Sequence, residues 1–199
     1  IEPTAGMTVI TGETGAGKEG IDELDAQVRE HSEGREMTAN ILPSASAEKH
    51  YPIAFNLIPQ IDVFCDNLYT KEEMKMVNET KKIMEDYEML FTATTIRVPV
   101  YRSHSESVNI ELEKEVDLGV MREALAKFPG VTVQDDPSKQ EYPMPLYTSE
   151  KDDVYVGRLR RDESCEKSYN MWVVGDQIRK GAALNTLQIA ETMIKNGWI

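Results

Sequence analysis

The feature that most constrains the fold is a series of short segments rich in β-branched and aromatic residues, a composition typical of strands. Helical patterns separate these segments at irregular intervals rather than in strict alternation. This order predicts the α+β class, with one largely antiparallel mixed sheet and helices on one face. The predicted strands are 92–102, 107–113, 130–134, 153–161 and 170–175, and residues 1–10 form an apolar, strand-like lead-in.

Helical spacing of apolar residues and capping signals predict four helices. The sequence "TKEE" at residues 70–73 is a capping box, in which the first and last side chains bind each other's backbone N–H groups. Two prolines interrupt the apolar stretch 51–64, which we therefore predict to be a buried loop. The predicted helices are 16–31, 70–86, a short one capped by Asp117, and a closing helix over 182–196 that stops at Gly197.

Charge and cysteine content exclude several classes of function. The net charge of −13 over 199 residues argues against broad binding to nucleic acid or to an anionic membrane, which requires a basic surface. No apolar run approaches the roughly 20 residues of a membrane span. Cys65 and Cys165 have no metal-binding or redox spacing, so we expect free thiols, a cytoplasmic location and no metal.

A glycine-rich segment near the start resembles a phosphate-binding loop. Residues 12–18 read G-x-x-x-x-G-K, but Glu19 replaces the Ser or Thr whose hydroxyl would hold Mg²⁺. A carboxylate at that position would repel the phosphates. No later strand supplies a suitably placed second acid. The pattern therefore leaves a P-loop ATPase fragment as the weaker alternative to a glycine-rich turn into a helix.

Longer blocks along the chain point to a different family. They are "TGAGKEGIDEL", "HYPIAFNLIPQIDVF", "IRVPVYRSHSESVNIE", "YPMPLY", "VYVGRLRRD" and "MWVVGDQIRKGAALNTLQIAE". Together they resemble bacterial aspartate-semialdehyde dehydrogenase from about residue 14 to the end. The resemblance implies a fold like the C-terminal domain of the aspartate-semialdehyde and glyceraldehyde-phosphate dehydrogenases. Residues 1–13 instead resemble the N-terminus of a DNA-repair ATPase of the RecN type, so we expect an atypical lead-in at 1–13 and a single catalytic and dimerisation domain at 14–199.

The resemblance also implies a reaction and a set of partners. The family reduces aspartyl 4-phosphate to aspartate 4-semialdehyde with NADPH, a step of lysine, threonine and methionine biosynthesis, and it forms homodimers. The family's N-terminal Rossmann domain, which binds most of NADP, and its nucleophilic cysteine have no counterpart in this sequence. Whether the chain catalyses therefore stays open. We expect the isolated chain to be inactive, and a non-catalytic dimerisation module is the first alternative.

Two predicted site residues flank one predicted strand and its turn. An imidazole suits acid–base work because its pKa lies near neutrality, and the resemblance makes His104 the family's catalytic acid/base. Arg97 is a guanidinium in an otherwise apolar strand, which requires an anionic partner. The resemblance implies that Arg97 binds the α-carboxylate of the substrate. From the residues alone, a structural histidine is the favoured interpretation of His104, and a buried structural salt bridge is a common one for such an arginine.

The other predicted site residues depend on the resemblance. Glu72 and Lys75 share one helical face, where a solvated ion pair is the simplest reading, but the resemblance assigns the substrate amino group to Glu72 and phosphate to Lys75. It also places Gln177, Thr14 and Gly15 against NADP. Arg102 has no family role and is expected to be a supporting or surface residue. We further expect the four substrate-site residues to open on one concave, locally positive surface.

Overall fold

The computed structural model describes residues 4–11 and 16–199, with residues 4–11 defined by their backbone pairing. Six strands form a single sheet. They are β1 (Thr4–Thr11), β2 (Leu90–Arg97), β3 (His104–Glu111), β4 (Val131–Val133), β5 (Val154–Arg161) and β6 (Ser168–Gly175). Their order across the sheet is β2-β1-β3-β6-β5-β4. The β1–β2 and β4–β5 pairs are parallel and the other three are antiparallel, so the predicted α+β class with a largely antiparallel mixed sheet is confirmed.

Two helices begin directly after their predicted capping residues, Thr70 and Asp117. Thr70 accepts a hydrogen bond from the N–H of Glu73, and the Glu73 carboxylate accepts one from the N–H of Thr70. Asp117 caps the third helix through its side chain. The helices are α1 (Gly17–Ser32), α2 (Lys71–Ile83), α3 (Leu118–Lys127), α4 (Pro145–Thr148) and α5 (Leu184–Lys195), with a π-helical turn at Arg179–Ala183 before α5.

The strand predicted over residues 92–102 is too long at its C-terminal end. β2 ends at Arg97, and β3 begins at His104, whereas we expected His104 in a loop before the next strand. The intervening turn contains Pro99, which has no backbone N–H to donate to a strand partner. Ser103 adopts a positive φ of 75°, which is incompatible with extended backbone. Arg97 and His104 therefore lie in two different strands.

The outer edge of β2 is covered by a loop and by one carboxylate. Ile58 exchanges two backbone hydrogen bonds with Arg97, at 2.9 and 3.1 Å. The N–H of Thr95 donates to the Glu73 carboxylate at 3.0 Å. Unpaired edge groups invite pairing with other chains, and these contacts occupy two such N–H groups.

The predicted loop 51–64 has no helix or strand of its own, as expected, but it is only partly buried. Ile53 and Ile58 join a core cluster with Leu24 of α1. In contrast, Phe55 and Phe64 are exposed, at 68% and 56%, so the prediction of a buried loop holds only for part of the segment. Short exposed stretches between buried anchors explain how the loop crosses the surface while remaining attached to the core.

The two faces of the sheet differ in burial. On β2, Ala93 and Thr95 are buried, whereas Thr92 and Thr94 are exposed, because alternate side chains point to opposite faces. By register, Thr94 lies in one row with Ser107 and Trp172. We call the face that carries Thr92, Thr94, Ser107 and Trp172 the open face. Within residues 4–11 and 16–199, no helix is both long and apolar enough to cross a membrane.

Candidate active site

One cleft collects four of the residues singled out from the sequence. It has a volume of about 490 Å³ and lies where β2 ends and β3 begins. Glu72, Lys75, Arg97 and His104 all line it. The remaining described lining consists of Ala16 and Glu19 at the start of α1, the loop 41–45, Ile61 and Asp62.

Strand order explains how Arg97 and His104 come together. β1 lies between β2 and β3, parallel to the first and antiparallel to the second. The C-terminal ends of β1 and β2 therefore meet the N-terminal end of β3 at one edge of the sheet. In the register, Arg97 pairs with Thr11, and Ser105, which follows His104, pairs with Ile10. Two residues seven positions apart thus reach the same cleft from strands about 10 Å apart.

Helix α2 brings its first turn to this cleft. Glu72 and Lys75 lie 3.5 Å apart across the helix surface, with side chains 33% and 55% exposed. An ion pair with this exposure contributes little to stability. Either side chain can therefore give up its contact with the other and bind a ligand instead. The start of α2 lies on the same side of the sheet edge as Arg97 and His104. The roles that the family resemblance assigns to these residues require this arrangement.

His104 is held in its neutral form. Burial and the positive charges of Arg97 and Lys75 lower its pKa from 6.5 to about 4, against an opposing effect of Asp176. Its Nδ1 atom is buried and has no hydrogen-bond partner within the described part of the chain. A neutral imidazole has a free nitrogen lone pair and can accept a proton from a reacting group.

The charge of the cleft differs from the expectation. Arg97 is only 7% exposed, so it is the deeper of the two cations. Carboxylates outnumber cations, three to two, in the described lining, since Glu19 and Asp62 join Glu72 against Lys75 and Arg97. The predicted local excess of positive charge is therefore absent, and the cleft matches a ligand that carries both signs of charge.

Gln177 contacts Ser103, the residue before His104, and is not among the described cleft lining. Its Oε1 accepts the N–H of Ser103 at 2.9 Å. Its Nε2 is buried without a hydrogen-bond partner among residues 4–11 and 16–199. Such an orphaned donor fits a ligand carbonyl, for example that of a carboxamide. Thr14 and Gly15, the other two predicted cofactor contacts, lie outside the described residues.

Sequence reasoning missed Asp176 and the wall formed by residues 41–45. Asp176 is fully buried, and its carboxylate raises the pKa of His104. A signal existed, because an acid directly after the buried strand end "MWVVG" requires partners. The loop 41–45 gave no such signal, because its place in the cleft depends on long-range packing.

The remaining candidates lie elsewhere. Lys18, from the apparent phosphate-binding loop, is exposed in α1 and pairs with Asp22. Neither Cys65 nor Cys165 lines the cleft, and both thiols are free. No cluster of three metal-ligating side chains occurs in the described ranges.

A mixed sheet whose strand ends place a guanidinium and an imidazole in one cleft defines an α+β domain with a candidate small-molecule site. The comparisons with known proteins place it more closely. The chain belongs to the semialdehyde dehydrogenase dimerisation-domain family, whose sequence model matches residues 4–180. That match includes most of the lead-in, and the comparisons do not support a RecN-type origin for the first 13 residues. The domain boundary at residue 13 stays a prediction.

The individual relatives considered next are all named aspartate-semialdehyde dehydrogenase. The chain is 48% identical over 186 residues to aspartate-semialdehyde dehydrogenase of Aquifex aeolicus, covering 94% of this chain and 53% of the relative. The solved aspartate semialdehyde dehydrogenase II of Vibrio cholerae is 40% identical, with a TM-score of 0.87 over 96% of this chain and 54% of that one. That enzyme has also been solved in complex with ASA. The chain thus spans about half the length of these relatives.

A more distant relative bears on the cofactor. The aspartate semialdehyde dehydrogenase of Candida albicans, solved with NADP, is 22% identical with a TM-score of 0.62 and covers 98% of this chain and 51% of that one. At this identity the likeness concerns the fold. The bound NADP is a property of that relative.

Proposed function

We propose that this chain is the substrate-binding and dimerisation part of an aspartate-semialdehyde dehydrogenase. The observation that carries the proposal is the single cleft lined by Glu72, Lys75, Arg97 and His104, which come from one helix and two strands. Its mixed charge suits aspartate semialdehyde, a molecule with an ammonium, a carboxylate and an aldehyde group. Biosynthesis of aspartate-family amino acids in the cytoplasm would be the corresponding role.

Each side chain has a task that its chemistry supports. Arg97 would bind the α-carboxylate through its planar guanidinium, since a buried guanidinium favours bidentate contacts. Glu72 would accept the ammonium group, and Lys75 would bind phosphate, because both exposed groups can leave their mutual contact. His104 would take up the proton released as the aldehyde is converted, since it is neutral near pH 7.

The cofactor would supply only hydride transfer. Gln177 would donate its free Nε2–H to the nicotinamide carboxamide, while its carbonyl stays bonded to Ser103. Thr14 and Gly15 remain proposed contacts. The nucleophilic thiolate has to come from outside the cleft lining, because neither cysteine of this chain is found there.

We also propose a homodimer that forms across the open face. Thr94 and Ser107 are exposed and lie on the two strands that flank β1 in the sheet. Beside them, α4 packs on β6 and exposes Leu146 and Tyr147, at 78% and 65%. Short polar side chains allow two sheets to approach closely, and the apolar rim adds buried area. Light scattering should give twice the 22.5 kDa of one chain, and Ser107→Arg should shift the mass towards one chain.

The catalytic proposal is tested by joining the chain to the part of the Aquifex aeolicus relative that it does not match. NADP reduction would be followed with aspartate semialdehyde and phosphate. The hybrid should turn over, the isolated chain should not, and His104→Gln should lower kcat by about 10²–10⁴-fold, the usual share of a general base. His31→Gln, in an exposed position on α1, is the matched control. Full activity of the His104 variant would reject the role of the cleft.

A further inference from the structure

The turn that leads into His104 has an unfavourable backbone conformation, and hydrogen bonds from other parts of the chain hold it in place. Ser103 has φ of 75° and is 1% exposed. A residue other than glycine in this region is strained by contacts of its Cβ atom. Its N–H donates to Gln177 Oε1 at 2.9 Å, and its hydroxyl lies 3.1 Å from that of Ser149. These contacts offset the strain and fix the backbone immediately before His104.

A second attachment passes through Asp176. Its buried carboxylate accepts the backbone N–H groups of Glu150, Ile178 and Arg179 at 2.7, 2.9 and 3.1 Å. Arg102, at the other side of Ser103 from His104, donates to the same carboxylate at 2.9 Å. A buried carboxylate bonded by four donors has one position. Residue 102 is therefore tied to the start of the segment that follows β6.

We propose that Asp176 and Gln177 are positioning residues for His104, acting through Arg102 and Ser103. This inference rests on the proposed function, because it concerns the orientation of the acid–base group of that site. Two side chains in succession after β6 hold two residues in succession before β3, and β6 is itself the hydrogen-bonded neighbour of β3. The backbone that carries the imidazole is thereby fixed by groups that are not among the described cleft lining. We call Arg102, Ser103, Ser149, Asp176 and Gln177 the back cluster.

Asp176 also balances the charges around the imidazole. Arg97 and Lys75 lower the pKa of His104, and Asp176 raises it. Burial alone would raise the pKa of Asp176, but the N–H groups of Glu150, Arg179 and Ile178 and the charge of Arg102 hold it below its usual value. These contacts favour the charged form of the carboxylate. The other acids near this end of the cleft are Glu19, Asp62, Glu72 and, two residues along β3, Glu106.

Gln177 has two functional ends that two substitutions separate. Gln177→Glu keeps an oxygen acceptor for Ser103 and removes the donor. Gln177→Leu removes both. If Gln177 positions His104, only the second variant should release the turn. If Gln177 serves a ligand alone, neither variant should alter the turn in the free chain.

The first experiment measures amide hydrogen exchange and the His104 imidazole signals by NMR in the 199-residue chain. Exchange at Ser103 should be about tenfold faster in Gln177→Leu, the equivalent of one ordinary hydrogen bond, and unchanged within about twofold in Gln177→Glu. The matched control is Gln188→Leu in α5, which loses a contact with Lys180 of the π-helical turn. Equal exchange in the wild-type chain and in Gln177→Leu would overturn the proposal.

The second experiment tests Asp176. In Asp176→Asn, the His104 signals should titrate at lower pH than in the wild-type chain, whereas a purely structural role would leave the pH of titration unchanged. If this variant does not fold, the two Gln177 variants still decide the question. In the hybrid enzyme, Gln177→Glu should raise the KM for NADP, and Gln177→Leu should lower kcat as well. An inactive hybrid with the expected NMR changes would reject the proposed function and leave the positioning intact.

Discussion

The two sides of His104 are built differently. On the cleft side, Glu72 and Lys75 contact each other at 3.5 Å with exposed side chains. On the back side, Asp176 is fully buried and bonded by Arg102 and by three backbone N–H groups. The Glu72–Lys75 pair is weakly held and can rearrange, whereas the Asp176 carboxylate is saturated with donors and cannot. Burial and bonding thereby separate two kinds of charged group that look alike in sequence.

The largest expected effect is on the free energy of unfolding, and it contrasts Arg102 on the back side of His104 with Lys75 on the cleft side. Arg102→Met should lower the free energy of unfolding by about 3–5 kcal/mol, because it leaves the buried Asp176 carboxylate without its cation. Lys75→Met should change it by less than about 1 kcal/mol, since that pair is exposed. Urea denaturation of both variants measures the difference. Equal losses would remove the distinction between the two sides.

The next effect is on the pH dependence of stability and concerns His104, which lies between the two sides. The pKa of His104 is about 4 in the folded chain, below its unfolded value, so the unfolded state binds the extra proton between these values. The wild-type chain should therefore lose about 3 kcal/mol of stability as the pH falls from 7 to 4. His104→Gln should lack this component of the loss, whereas His31→Gln should retain it. Parallel pH profiles for wild type and His104→Gln would contradict the burial of His104.

A smaller effect of opposite sign is expected two residues along β3. Burial raises the pKa of Glu106, so the folded state favours the protonated carboxyl. The contribution of this group to stability is present at low pH and is lost as the pH rises past its unfolded pKa. Glu106→Gln should therefore stabilise the chain at pH 7 and give no gain at pH 4. Thermal unfolding at the two pH values measures this, and a loss of stability at pH 7 would show that the carboxylate has a favourable partner.

The smallest effect is expected at Lys18, an exposed residue that resembles those of the cleft side. Its ion pair with Asp22 is solvated, so Lys18→Ala should change the free energy of unfolding by less than about 0.5 kcal/mol. ATP should not raise the melting temperature of either form, because Glu19 follows Lys18 where a metal-binding hydroxyl is needed. Saturable protection by ATP that disappears in Lys18→Ala would restore the ATPase alternative.

Sequence patterns predicted the elements and the members of the cleft better than their mutual geometry. The capping box at Thr70 and the spacing of Glu72 and Lys75 are local, so they could be read directly. The end of β2 could not, because it depends on the positive φ of Ser103 and on contacts with residues more than 40 positions away. Arg102 illustrates the limit. Its sequence neighbours indicated no role, and only the fold brings Asp176 to it.

The pairing of Ile58 with Arg97 has a consequence for how the protein can change over evolutionary time. Both hydrogen bonds join main-chain atoms, so any side chain at position 58 that satisfies the core preserves them, and only proline removes the donor. The loop before Ile58 can therefore accumulate substitutions and even alter its length while Arg97 stays in register. Sequence drift in that part of the loop is uncoupled from the position of Arg97, whereas Ile61 and Asp62, which follow Ile58, line the cleft themselves.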